Sequence, residues 1–354
     1  MRRSTLLIPA AAILAAAAIF SYAGPLNPPG GPMSPTYKTL SEVEPRIAIN
    51  GTNTPPGVDS LFRITQPGSY YLTGNISGVG AKHGIEIAAS GVTIDLMGFA
   101  LTGVPGSLDG ITVAASNLSR IAVRNGTVSG WGVNGVDLYD LNLYGCSVTD
   151  VHAGGNGGLG IGVGRACTVS GCTAYSNTGS GIVAVDACAI TGCSASFNNY
   201  GFEIGAGAAV SGCAAFLNNL AGMRGGAGNV ITNCTSRGNG TDGIIMSSAN
   251  LIQGNTCTSN GVNSSSGAGI RVQNGDNRIE GNNCAIGDIG IAADNAGNII
   301  IRNTCSGHVT DWVIAANNVF GPIIDRRAPA SAAVSGFSAA SSLGTTDPTA
   351  NFSY

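Results

Sequence analysis

Four consecutive segments between Gly160 and Asn239 repeat one pattern: GIGVGRACTVSGCTAYSN, GIVAVDACAITGCSASFN, GFEIGAGAAVSGCAAFLN and GMRGGAGNVITNCTSRGN. Their opening glycines, Gly160, Gly181, Gly201 and Gly222, are 21, 20 and 21 residues apart. A fixed period of this size marks a solenoid, whose units each bury an apolar side only against their neighbours. Each unit opens on a Gly-apolar-x-apolar alternation, the period of a short strand with one buried face.

Further columns align within the repeat. Seven residues after the glycine stand Cys167, Cys188, Ala208, Asn229 and Asn250, and eight after it Asn277 and Asn298. An aliphatic spine follows: Val169, Ile190, Val210, Ile231, Ile252, Ile279 and Ile300. Next comes Cys172, Cys193, Cys213, Cys234, Asn255, Asn282 and Asn303, and then Asn177, Asn198, Asn218, Asn239 and Asn260. Stacked amides bond one another, and Asn tolerates the left-handed backbone of a corner. Strands, corners and polar ladders at this period predict an all-β fold, a single-stranded parallel β-helix.

The anchoring glycines run Gly84, Gly110, Gly135, Gly160, Gly181, Gly201, Gly222, Gly243, Gly269 and Gly290, which predicts about ten coils over residues 81–325. Long steps place extra residues at Gly103–Leu108, Ser129–Asn134, Val151–Gly158 and Gly261–Ala268, all on one edge. Residues 1–23 read as a signal peptide: Arg2 and Arg3, an apolar run from Leu6 to Phe20, and a Ser21-Tyr22-Ala23 cleavage site. Removing it leaves no transmembrane span and predicts a secreted protein, periplasmic, cell-surface or extracellular. Residues 24–37 form a Pro-rich linker, residues 38–80 an N-terminal cap, and residues 326–354 a mobile low-complexity tail.

Several segments outside the repeat carry a resemblance. KTLSEVEPR (38–46), ITQPGSYYLTGNI (64–76), GIEIAASGVTIDLMGFALTG (84–103) and GPIID (321–325) are similar to a secreted bacterial branch of the right-handed parallel β-helix proteins, the pectate-lyase-like superfamily. The resemblance implies right-handed coiling and caps at both ends. It implies no activity.

Charge and residue chemistry narrow the function. Only 10% of residues are charged, against about 25% in an ordinary domain, and the net charge is -3. Two lysines, Lys38 and Lys82, leave no basic footprint for nucleic acid. The ten cysteines share columns with Asn and Ala and read as buried space-fillers, with disulfides as the rival in an exported chain. No CxxC spacing occurs, and two glycine-rich stretches (154–159 and 225–230) lack the carboxylate of a calcium repeat, so neither metal nor cofactor is expected.

One outward cluster is the candidate ligand site. Aligning Ile94, Ile121 and Leu141 inward leaves Asp95, Arg120, Arg124, Asp140 and Tyr144 facing out, with Asp140 above Arg120 and the aromatics Trp131 and Tyr139 nearby. Carboxylate, guanidinium and aromatic groups together suit a sugar; a solvated surface ion pair is the plain alternative. A hydroxyl row, Ser170, Thr191, Ser211 and Thr232, is a second outward face. Glu86, Asp137 and Glu203 hold the same outward strand position but lie two and three coils apart, too far for a matched catalytic pair. Two functions stay open: a non-catalytic scaffold or glycan-binding solenoid that contacts extracellular polysaccharide or cell-surface components, and a polysaccharide lyase or glycoside hydrolase.

Overall fold

The computed structural model describes residues 46–325 and 346–354. The expected signal peptide, the expected linker, the first part of the expected cap and residues 326–345 lie outside them. The described residues form a parallel β-solenoid, with no helix among them. Each coil contributes a strand to each of three sheets. Sheet I contains 60–64, 83–87, 111–113, 136–138 and their successors; sheet II contains 68–71, 92–95, 168–170, 189–191 and so on; sheet III contains 76–77, 100–102, 173–175, 194–196 and so on. Pairing is parallel throughout, and residues one period apart stand opposite each other, as in Val169↔Ile190↔Val210↔Ile231.

There are about 13 turns, more than the glycine count predicts. The difference lies at the ends. Residues 47–77, expected as a cap, already stack in register with the coils above: Ile47↔Tyr70↔Ile94 in sheet II and Phe62↔Ile85 in sheet I. The last glycine-anchored coil is likewise followed by strands 304–314 and 319–320. These coils lack the Gly-apolar-x-apolar opening, so the period alone does not reveal them.

The spine of sheet II is fully buried from Ile94 to Ile300. At the corners the polar columns form hydrogen-bonded ladders. Asn156, Asn177, Asn198, Asn218, Asn239 and Asn260 link rung to rung. The backbone N–H and the Nδ2 of Asn177 both donate to Asn198 Oδ1, at 3.0 and 3.0 Å, and the pattern repeats at Asn198 and Asn218. Most of the Nδ2 groups give their second hydrogen to the coil before, as Asn198 does to Ala174 O at 3.1 Å, while that of Asn239 goes to Ser236 Oγ in its own coil at 2.9 Å. A second ladder runs Asn255, Asn282, Asn303, and a third Asn229, Asn250, Asn277, Asn298, Asn318.

The ladder explains the opening glycines. A Cβ on Gly181 would stand 2.7 Å from Asn198 Nδ2, and one on Gly160 2.7 Å from Asn177 Nδ2. Glycine is required there by close approach rather than by a turn. In the earliest coils Trp131 fills the same corner beneath Gly84 and Gly110 and begins the ladder, its N–H donating to Asn156 Oδ1 at 3.0 Å.

All ten cysteines are buried and free. Cys146 heads the column of Cys167 and Cys188, donating its N–H to Cys167 Sγ at 3.2 Å, and not the Cys172 column. Burial pushes the Cys305 thiol upward, so it is a neutral filler.

The tail corrects the sequence expectation at its tip. Asn351–Ser353 forms a strand on the last coil, where Asn351 takes the next place in the second ladder. The column carries an Asn with a small residue two places on, as in Asn255–Cys257, Asn282–Cys284 and Asn303–Cys305, and Asn351–Ser353 repeats that spacing.

Removing one ladder amide strands several buried donors at once, each costing about 1–3 kcal/mol. Asn198→Ala orphans the N–H and Nδ2 of Asn177 and the carbonyl of Ala174, and is expected to destabilise by about 3 kcal/mol or more in urea unfolding. Thr191→Ala on the exposed face should stay within about 0.5 kcal/mol.

Candidate functional site

The outward middle row of sheet I reads, coil by coil, Arg63, Glu86, Thr112, Asp137, Gly162, Val183, Glu203, Arg224, Ile245 and Arg271. The sequence placement of Glu86, Asp137 and Glu203 two and three coils apart is therefore correct. Most charges in the row are matched by a neighbour. Glu86 accepts from Ser60 Oγ at 2.9 Å and pairs with Arg63 at 3.1 Å, and Arg271 pairs with Asp242 at 3.0 Å and Asp294 at 2.9 Å.

Between Asp137 and Glu203 the row carries only Gly162 and Val183, and an open groove of about 460 Å³ lies along the sheet I edge. Tyr139 stands at one end, 48% exposed; Ser247 and Gln273 stand at the other. Glu203 and Arg224 lie between them, 3.4 Å apart. Glu203 also accepts a hydrogen bond from Ser180 Oγ. The Arg224 guanidinium sits 5.3 Å from the centre of the Tyr200 ring, remains 56% exposed and lines the groove. The floor is formed by small residues that end the sheet I strands, among them Ala184, Gly205, Gly225 and Gly226.

The predicted cluster assembles only in part: Asp95 and Arg124 meet, and Arg120 and Asp140 do not join them. Asp95 pairs with Arg124 at 3.1 Å and with Arg46 at 3.4 Å, and accepts from Met97 N at 2.9 Å and Asn125 Nδ2 at 3.3 Å. Burial pushes its carboxyl up, but these partners together hold it below the usual range. That makes it a saturated staple across coils. Arg120 lies on a corner with φ 56°, its N–H donating to Tyr144 O at 3.1 Å. Asp140 is not above it: Asp140 accepts from Ser116 Oγ at 2.8 Å and Asn142 N at 2.7 Å.

The cause is a misplaced register. Ile94 opposes Val123, which opposes Val148, whereas Ile121 and Leu141 lie in the long connections before those strands, where Leu143 is buried and Leu141 is 53% exposed. Tyr144 is exposed on the corner between Ser119 and Arg165, and Trp131, 1% exposed, is a core residue. Of the predicted aromatics, Tyr139 alone reaches the groove. Tyr200, Arg224, Ser247 and Gln273 escaped the sequence reading, although Arg224 follows Glu203 in the same column. The hydroxyl row lies on the outer face of sheet II as expected, Ser170 Oγ bonding Thr149 Oγ1 at 3.4 Å.

A titratable cluster adjoins the groove beyond Tyr139. His83 Nδ1 lies 3.1 Å from the Asp109 carboxylate. Asn134 links the two acids, its N–H donating to Asp109 at 2.8 Å and its Nδ2 to Asp137 at 3.0 Å. The hydrogen bond with Asp109 raises the His83 pKa against the effect of burial, and burial, helped by the Asp109 charge, raises that of Asp137. No group of three or more His, Cys, Asp or Glu among the described residues is arranged to hold a metal ion.

No family model matches the sequence, and no curated protein matches it. Solved structures do. The A-module of the mannuronan C-5 epimerase AlgE6 from Azotobacter vinelandii is similar at TM-score 0.59 and 14% identity, over 78% of this chain and 88% of that one. The AlgE4 A-module from the same organism is similar at TM-score 0.54 and 16% identity, over 72% and 91%. The Agl-KA catalytic domain follows at TM-score 0.51 and 12% identity, over 74% and 60%. At these identities what is shared is the fold, a right-handed parallel β-helix.

The cluster has a pH signature. His83 and Asp137 both bind their protons more tightly folded than unfolded, so the stability they contribute is complete at low pH. It is lost as pH rises through their raised values. Asp95 and Glu280, held low, act in the opposite sense and only in more acid solution. The melting temperature is therefore expected to fall from about pH 4 to pH 8. Asp137→Asn should flatten the acidic part of that fall, and a melting temperature that rises across the window contradicts the assignment.

Proposed function

We propose that this protein is a secreted, non-catalytic glycan-binding solenoid that holds an extended polysaccharide along the sheet I groove. The observation that carries the reading is the composition of the groove. An exposed tyrosine, one compensated carboxylate–guanidinium pair, a hydroxyl and an amide lie along several coils over a floor of small residues. Sugars are bound by this combination of apolar ring faces and a few fixed polar groups. The groove repeats at the coil spacing of about 4.8 Å, which suits an elongated ligand lying parallel to the stack.

Hydrolysis needs two carboxyl groups at a set separation. Glu203 is the one carboxylate lining the groove, and it is already engaged by Arg224 and Ser180. Its pairing with Arg224 also leaves the groove without net charge, which favours neutral glycans. The solved structures of similar fold include modules named for mannuronan, which supports a polysaccharide as the class of ligand.

A second reading, turnover of a polysaccharide, rests on the neighbouring His83, Asp109 and Asp137. In their hydrogen-bonded arrangement burial raises the Asp137 pKa, which gives this group the form of an acid beside a base.

Binding to a panel of neutral and acidic polysaccharides, measured together with release of reducing ends and unsaturated uronates, separates the two. Binding without turnover is expected. Tyr139→Ala and Arg224→Ala should each weaken it about ten-fold, roughly 1.4 kcal/mol, whereas Arg124→Ala on the Asp95 staple should leave it unchanged. Binding indifferent to Tyr139 and Arg224 contradicts the groove, and turnover lost in Asp137→Asn establishes the second reading.

A further inference from the structure

The chain skips one rung before its last coil strand. Val319–Phe320 stacks directly on Ile299–Ile300 in sheet II, so the strand that follows, Ile323–Asp325, would be expected to land on Thr304–Ser306 in sheet III. Instead the C-terminal strand Asn351–Ser353 lies between them. Thr304 and Cys305 oppose Phe352 and Ser353 on one side, and Ile323, Ile324 and Asp325 oppose Asn351, Phe352 and Ser353 on the other.

The slot is shaped for this segment. Asn351 is completely buried; its Oδ1 accepts from Asn303 N at 2.9 Å and Asn303 Nδ2 at 3.3 Å, and its Nδ2 donates to Ile300 O at 3.2 Å and Gly321 O at 3.1 Å. Ser353 Oγ accepts from Trp312 Nε1 at 2.9 Å, and Pro348 O accepts from Arg302 Nε at 2.9 Å. Gly321 lies so close to Thr349 O that a side chain there would collide with it. An empty slot would strand the Asn303 amide donors and leave Ile323–Asp325 without its strand partner.

Residues 326–345 join Asp325 to the segment that fills the slot, on a neighbouring rung about 4.8 Å away. Fully extended, 20 residues reach roughly 70 Å. The connection is therefore far longer than the contact demands and long enough to reach another molecule.

We propose that this slot is a strand-exchange site, and that its alternative occupant is the C-terminal segment Thr346–Tyr354 of a second copy of this chain. Two copies that trade these segments reciprocally form a dimer joined at the C-terminal ends of their coils. Every contact in the slot is the same whichever copy supplies the strand. The choice is set by concentration and by the reach of the connection, the condition under which exchange is a low-cost route to association. The inference rests on the strand order and is independent of the glycan reading.

Full-length chains with natural isotopes and full-length 15N-labelled chains, both carrying a photoreactive phenylalanine analogue at position 352, are unfolded together, refolded over a range of concentrations and irradiated. Crosslinks from position 352 to the 304–306 or 323–325 strands are expected to include mixed-isotope pairs. Their share should rise with refolding concentration and fall several-fold when the free peptide Thr346–Tyr354 is present in excess. Same-isotope crosslinks alone at every concentration overturn the proposal. Unmodified chains give a second readout by native mass spectrometry. A dimer that grows with concentration and is suppressed by the peptide is expected; a strict monomer, or a dimer indifferent to the peptide, overturns it.

Discussion

A side-chain amide buried at a corner has two donors and an acceptor to satisfy, and in this protein the next coil supplies the acceptor. From that requirement most of the architecture follows. Asn198 Oδ1 takes both the N–H and the Nδ2 of Asn177, so Asn177 is satisfied only when the coil above is in register. A shift by one residue would break two bonds per rung and turn the buried spine outward. The ladder therefore fixes register where strands of three residues give little of their own. It also dictates sequence elsewhere: the amides leave no room for a Cβ at Gly160, Gly181 and Gly201.

The ladders change occupant along the stack without losing their geometry. The second begins as thiols at Cys172, Cys193, Cys213 and Cys234, changes to amides when Cys234 N–H donates to Asn255 Oδ1 at 2.9 Å, and ends on Asn351, which comes from the far end of the chain. Thiol, methyl and amide are all small enough for a corner. The amide adds the directional bonds, and the thiol fills space with a weak donor, as Cys188 Sγ does to Gly164 O at 3.1 Å. This interchange is why the chain can carry ten cysteines that serve as packing residues.

The repeated core was legible in the sequence because each of its columns is a one-dimensional pattern: the Val169–Ile300 spine, the Asn177 ladder and the opening glycines all stand where the period places them. Legibility failed where a coil departs from the period. The connections from Val113 to Ala122 and from Leu138 to Ser147 are long and hold apolar residues of their own, and taking Ile121 and Leu141 rather than Val123 and Val148 as the partners of Ile94 dispersed the predicted Asp140–Arg120 pair. Trp131 sits in what reads as a projecting insertion, yet its ring turns into the corner that glycines leave open. The C-terminal strand occupies a rung out of chain order, which no period can express. The groove was half visible: Glu203 and Tyr139 were noted separately, but their relation through Gly162 and Arg224 is a property of three-dimensional stacking.

Because the ladders determine register, and register brings Tyr139, Glu203 and Arg224 to one groove, the ladder is the point at which the account is most exposed. Native-state hydrogen exchange resolved to single residues tests it directly. The backbone amides of Asn156, Asn177, Asn198, Asn218 and Asn239, corner residues flanked by turns, are predicted to exchange as slowly as the sheet II spine from Val169 to Ile252, because each donates to a buried carbonyl of the next coil. Exchange of these amides at the rate of the exposed corners, with the spine still protected, would contradict the claim that the amide ladder holds the coils in place.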